Sequence, residues 1–129
     1  MSGSTPSAVG IGLVATGGFV GALSRYAVEV AIPSALVATL AVNVLGSFAL
    51  GVLFYGNRGG LVGERAMLGA ATGFISSFTT YSAFVVDTTA VAPTTAGLYV
   101  AGSYALGFGA AGLGGYGGRR LGATGGERG

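Results

Sequence analysis

The chain has 129 residues, of which 8% are charged and 51% apolar, with a mean hydropathy of +0.74. A soluble domain carries roughly one-quarter charged residues, so water is excluded as the main solvent and a single integral membrane domain over residues 1–129 is expected. Cysteine and histidine are absent, which excludes thiolate and imidazole metal sites and a Ser-His-Asp triad; the six basic and four acidic residues are scattered, which excludes nucleic acid as a partner.

Residues 1–7 are polar and lack a positive run, so the apolar stretch after them reads as a first span rather than a cleaved signal. Hydropathy then divides the chain at Pro33, at residues 56–65 and at Pro93. Four stretches remain, 8–32, 35–55, 66–86 and 94–118, each long enough to cross about 30 Å of hydrocarbon. Backbone groups in lipid must be satisfied within their own segment, so the expected fold is all-α, with four transmembrane helices joined by short connections.

The first span carries Gly17 and Gly21 at a spacing that lets helix backbones approach, as do Gly69 and Gly73 in the third. Arg25 and Glu29, four apart on one face, most simply form an ion pair, which gives Arg25 a structural role. The second span places Asn43 among apolar neighbours, with Thr39 and Ser47 nearby. An unpaired amide in hydrocarbon is costly, so Asn43 faces protein or water, either as an interhelical hydrogen bond or as part of a pore lining. The third span contains Ser76-Ser77-Phe78-Thr79-Thr80-Tyr81-Ser82, a poor helix former. Two readings fit it: the hydroxyls bond back to the preceding turn, or the helix breaks and its freed carbonyls hold a hard cation. Asp87, at the end of that span, reads as an interfacial charge.

The halves of the chain resemble each other. Gly46-Ser47-Phe48-Ala49-Leu50-Gly51 returns as Gly102-Ser103-Tyr104-Ala105-Leu106-Gly107, and residues 18–26 align with 73–81. The expected architecture is therefore two helix hairpins repeated in the same direction across the membrane, an arrangement common among transport proteins. Arg58, Arg65, Arg119, Arg120 and Arg128 fall on the side shared by the termini and the middle loop, while the other two loops carry no basic residue. The positive-inside rule then places both termini in the cytoplasm of a protein that crosses the cell membrane several times.

Three stretches together, Gly17-Gly18-Phe19-Val20-Gly21-Ala22-Leu23-Ser24-Arg25-Tyr26, Asn43-Val44-Leu45-Gly46-Ser47-Phe48 and residues 73–84, resemble the motifs of the CrcB/Fluc fluoride channel family across all four spans. The resemblance implies an antiparallel dimer with narrow fluoride pathways and a structural, untransported sodium ion held by backbone carbonyls of the broken third helix. By position, it assigns the sodium carbonyls to Ser76 and Thr79, the aromatic pair of the pathway to Tyr81 and Phe84, its polar second-helix contacts to Asn43 and Thr39, and a hydroxyl contact to Ser82. The sequence departs from the family where glycine usually stands at Ser76, phenylalanine at Tyr81, a hydroxyl residue at Ala83 and asparagine at Tyr99. The one-sided arginines favour a dimer with an oppositely oriented paralogue over a homodimer. An alternative of another class is a four-helix multidrug or cation exporter, which would need an intramembrane carboxylate and gains no support from a chain without tryptophan. A non-transporting assembly subunit would leave the polar third span without a use.

Overall fold

The computed structural model describes residues 5, 7–60 and 62–126. Residues 1–4 and Pro6 of the polar leader, and Arg128 of the basic set, lie outside the described residues. The described residues are helical and joined by short connections, with no strand among them.

Helix α1 (Ala8–Ala31) starts where the Ser7 side chain accepts the Gly10 N–H at 3.0 Å, satisfying one of the amides that a helix start leaves free. It ends before Pro33, and Ser34 caps α2 (Ala35–Gly56) by accepting from Val37. A 3₁₀ turn, Asn57–Gly59, leads to Gly60, whose φ of 70° only glycine adopts without strain. The next segment begins as α3 (Glu64–Met67), widens into a π-helix over Leu68–Ile75 and closes as α4 (Ser76–Phe78). Thr79 and Thr80 are extended, with φ −80°, ψ 159° and φ −148°, ψ 124°. The chain then re-enters helix as α5 (Tyr81–Thr89), and Pro93, which lacks the N–H that a helix start cannot use, opens α6 (Pro93–Gly126).

Three helices, α1, α2 and residues 93–124 of α6, are long and apolar enough to cross a bilayer. The segment over residues 64–89 is helical on both sides of its break. Helix α6 runs past the expected boundary at Gly118 to Gly126, because hydropathy marks where a segment leaves lipid and not where its hydrogen-bond ladder ends. Its many glycines would cost about 1 kcal/mol each against alanine in water, but hydrocarbon offers the backbone no competing partner.

Packing follows the internal repeat. Helix α1 lies against the 64–78 segment and α2 against α6, so each helix packs chiefly on its counterpart in the other half. Both pairs are parallel, because contacts advance in register: Gly10 approaches Leu68 and Gly18 approaches Ser77, while Ser47 approaches Gly107 and Gly56 approaches Gly118. The close approach depends on glycine. A Cβ on Gly17 would collide with the Gly69 carbonyl, one on Gly21 with the Phe74 carbonyl, and one on Gly51 with the Ala111 carbonyl. The fully packed core is small, centred on Val42 and Ala38 of α2, Ile75 and Tyr99. Large apolar side chains point outward instead, with Phe108 74% and Leu98 72% exposed, the surface that lipid or another subunit covers.

Candidate functional site: a braced helix break beside a polar and aromatic groove

The helical ladder of the 64–78 segment ends when Thr79 N–H donates to the Ile75 carbonyl at 3.0 Å. The next amide, Thr80 N–H, would in a continuing helix reach the Ser76 carbonyl. It donates instead to Asn43 Oδ1 at 2.8 Å, and Asn43 Nδ2 donates back to the Thr80 carbonyl at 2.9 Å. One side-chain amide on α2 thus replaces both partners that Thr80 loses by leaving the helix, and Thr80 is 7% exposed, so water could not have done so at low cost. Thr80 in turn caps α5 by accepting the Ala83 N–H at 3.1 Å, with Ser82 Oγ 3.4 Å from its hydroxyl.

The other residues singled out from the sequence take distinct places. The Ser76 carbonyl is released from the ladder by the break, while its hydroxyl donates to the Ala71 carbonyl at 3.3 Å. Ser76 has φ −61° and ψ −34°, ordinary helical values, so a side chain is unstrained there and glycine is not required. Thr79 donates its hydroxyl to the Ile75 carbonyl at 2.9 Å, and its methyl fills the space beside Gly46. Tyr81 is 73% exposed and its ring lies 5.9 Å from that of Phe84. Thr39 is buried and donates to Asp87 Oδ2 at 2.7 Å, so Asp87, expected to be only an interfacial charge, ties α5 to α2. Arg25 pairs with Glu29 at 3.8 Å on a half-exposed face of α1.

Asn43, Tyr81 and Phe84 come together in a groove of about 650 Å³ that runs along α2 and α6 to Arg58. A smaller hollow of about 270 Å³ adjoins it beside Gly46, Thr79 and Thr80, and Asn43 borders both. Thr39 and Ser82 border neither. Residues not singled out as pathway candidates complete the groove: Tyr104 meets Phe84 nearly at right angles, 86° at 6.3 Å, and Phe108 follows at 6.0 Å from Tyr104. In a perpendicular pair the electropositive edge of one ring faces the other. Tyr104 and Phe108 stand four apart on one span, a helical spacing visible in the sequence that could have placed α6 at the site. The hydroxyls of Tyr99 and Ser103 are buried without a hydrogen-bond partner among the described residues, and Ser103 borders the groove.

An all-helical chain with outward apolar side chains, several helices able to span a bilayer and a hydroxyl- and amide-lined groove beside a helix break is an integral membrane protein of the kind that handles small solutes. Residues 12–115 match the model of a family described as CrcB-like protein, Camphor Resistance (CrcB). Among curated relatives, a protein of Natronomonas pharaonis named fluoride-specific ion channel FluC 1 is 52% identical over 100 residues, covering 76% of this chain and 84% of its own. A FluC 1 of Haloarcula marismortui is 55% identical over 97 residues, 74% of this chain and 75% of its own. A FluC 2 of Halobacterium salinarum is 47% identical over 98 residues, 74% and 76% respectively. The chain belongs to the CrcB family.

Proposed function

We propose that this protein is a subunit of a fluoride channel in the cell membrane, through which fluoride leaves the cytoplasm passively. The observation that carries the reading is its identity, up to 55%, with proteins named fluoride-specific ion channels. The geometry supports it. Fluoride is small and strongly hydrated, so a path for it must offer donors in place of water without a full charge that would trap it. Asn43 spends one Nδ2 hydrogen on Thr80, leaving the other for the groove, where Ser47, Ser103 and ring edges are also at hand. No bond is made or broken in such a passage, so the protein is a channel and not an enzyme.

In this reading the 64–89 segment is the third of four spans, and the groove, open on one side of a single subunit, is closed by a second subunit in the inverted orientation. Both termini and Arg58, Arg65, Arg119 and Arg120 lie on the cytoplasmic side. That one-sided charge favours an oppositely oriented paralogue as partner, and the numbered names FluC 1 and FluC 2 among relatives are in keeping with paired genes. A structural sodium ion fits the break: the carbonyls of Ser76 and Thr79 are released from the ladder, and carbonyl oxygens are the donors a hard cation takes. An inverted partner would double that oxygen set.

Fluoride and chloride efflux from liposomes tests the proposal, with the chain alone and with an inverted partner. Fluoride is expected to leave and chloride to stay where the assembly is complete; retention of fluoride in both preparations would overturn the channel reading. Efficient fluoride efflux with the chain alone would overturn the requirement for a paralogue and leave the channel standing.

A further inference from the structure

The groove ends on Arg58 and on Tyr55, whose ring also carries Arg119, and the permeation path does not otherwise use either arginine. Arg58, from the turn after α2, borders the groove, and its guanidinium lies 5.0 Å from the centroid of the Tyr55 ring. Arg119, from α6, lies 4.7 Å from the same centroid. The close packing of α2 on α6, where Gly118 meets the Val52 carbonyl and the Gly56 amide, fixes the distance between the two elements that supply them. Tyr55 therefore holds two like charges at one point, both drawn to the negative face of its ring. The ion pair found among the described residues is Arg25–Glu29, so neither charge has a described carboxylate within salt-bridge distance. Asn43 lies about 20 Å further along α2, at the inner part of the same groove.

Resting on the channel reading above, we propose that Arg58 and Arg119 form an anion-gathering mouth, which concentrates small inorganic anions at the arginine-bearing end of the groove. Two charges with no carboxylate partner among the described residues, at the entrance of a low-dielectric groove, raise the local concentration of a counter-ion without binding it deep in the path. Their placement also separates them from Arg120. That residue turns to Tyr116, with its guanidinium 5.2 Å from the ring and Nη2 donating to the phenol oxygen at 2.7 Å, and Tyr116 does not border the groove, whereas Tyr55, the ring under Arg58 and Arg119, does. A headgroup anchor would reach outward to the lipid surface, as long cationic side chains do; Arg58 lies over a ring that itself lines the groove.

The test is single-channel fluoride current in planar bilayers of zwitterionic lipid, using whichever assembly conducts, at about 10 mM and 1 M ionic strength, where the screening length falls from about 30 to 3 Å. A unit charge about 6 Å from an ion in a water-like medium changes its local concentration about threefold. Arg58→Gln with Arg119→Gln should therefore cut conductance several-fold at low ionic strength and leave it near wild type at 1 M. Arg58→Lys with Arg119→Lys should conduct as wild type, and Arg120→Gln should change nothing. Wild-type conductance from the double glutamine variant at low ionic strength would overturn the mouth while sparing the channel. A loss that persists at 1 M and in the lysine variant would make the residues structural, and one seen only when anionic lipid is added would make them headgroup ligands; either result overturns the proposal. No fluoride current from the wild type would overturn the channel reading and the mouth together.

Discussion

Replacing Asn43 with leucine, close to it in size, removes the partners of both Thr80 backbone groups. Hydrogen bonds of 2.9 and 2.8 Å disappear, and the Thr80 N–H and carbonyl are left in a site where the residue is 7% exposed. Each buried group left unpaired costs about 1–3 kcal/mol, although interhelical hydrogen bonds measured in membrane proteins average only about 0.6 kcal/mol. Here both groups belong to one residue held outside helical geometry, where the neighbouring turns do not pair them, and we expect a loss of about 2–4 kcal/mol. Reversible unfolding in mixed micelles measures the total, and hydrogen exchange at the Thr80 amide locates it. Asn43→Asp separates the two bonds: the carboxylate still accepts from Thr80 N–H but faces the Thr80 carbonyl with an oxygen, so amide protection should survive better than in the leucine variant. Stability of Asn43→Leu within about 0.5 kcal/mol of wild type, with unchanged protection at Thr80, would refute the brace.

Thr80→Val keeps the backbone pairing with Asn43 but deletes the cap on α5, and should cost about 1 kcal/mol in the same unfolding assay, with fraying of the α5 start seen by hydrogen exchange. Thr39→Val leaves the Asp87 carboxylate without its 2.7 Å donor; bonds to charged groups are worth about 1.5–3 kcal/mol, and the loss should be suppressed by pairing it with Asp87→Asn in a double-mutant cycle. Gly51→Ala drives a methyl into the Ala111 carbonyl and should separate α2 from α6, destabilising the fold by about 1–3 kcal/mol, whereas Gly109→Ala, with open space around it, should be neutral or stabilise by up to about 1 kcal/mol. Equal effects from the two glycines would show that α2 and α6 do not pack as described.

Hydropathy and the two halves' similarity carried much of the fold into the sequence. Span edges at Pro33 and Pro93 were legible because proline acts locally on backbone geometry, and the alignment of residues 18–26 with 73–81 anticipated a packing in which α1 lies on its own counterpart. The π-helix over Leu68–Ile75 was not legible. Its widening accompanies the approach of α1, where Gly73 meets the Val14 carbonyl, and a tertiary contact of that kind leaves no mark in local propensity. The full extent of α6 was not legible for a related reason, since a measure built on transfer into lipid marks apolar length and not where a hydrogen-bond ladder ends.

At the site, residue types were legible but partnerships were not. Ser76 to Ser82 reads as a weak helix, yet nothing in that stretch says whether its hydroxyls satisfy the turn or the turn opens. Both occur: Thr79 bonds back to Ile75, and one residue later Thr80 leaves the ladder because Asn43 waits across the gap. The two readings of Asn43, interhelical bond or pore lining, were likewise posed as rivals, and the atoms remove the rivalry. A primary amide has two N–H donors and an oxygen with two lone pairs. The Thr80 backbone uses one N–H and one lone pair, which holds the amide in place and leaves the second N–H, from the same nitrogen, unspent on a residue that borders the groove. A side chain free to rotate would spend entropy each time an anion passed; one clamped by the backbone it braces offers its donor in a fixed direction. In the channel reading proposed above, bracing and lining are a single arrangement, and a variant that keeps one without the other has to preserve the amide itself.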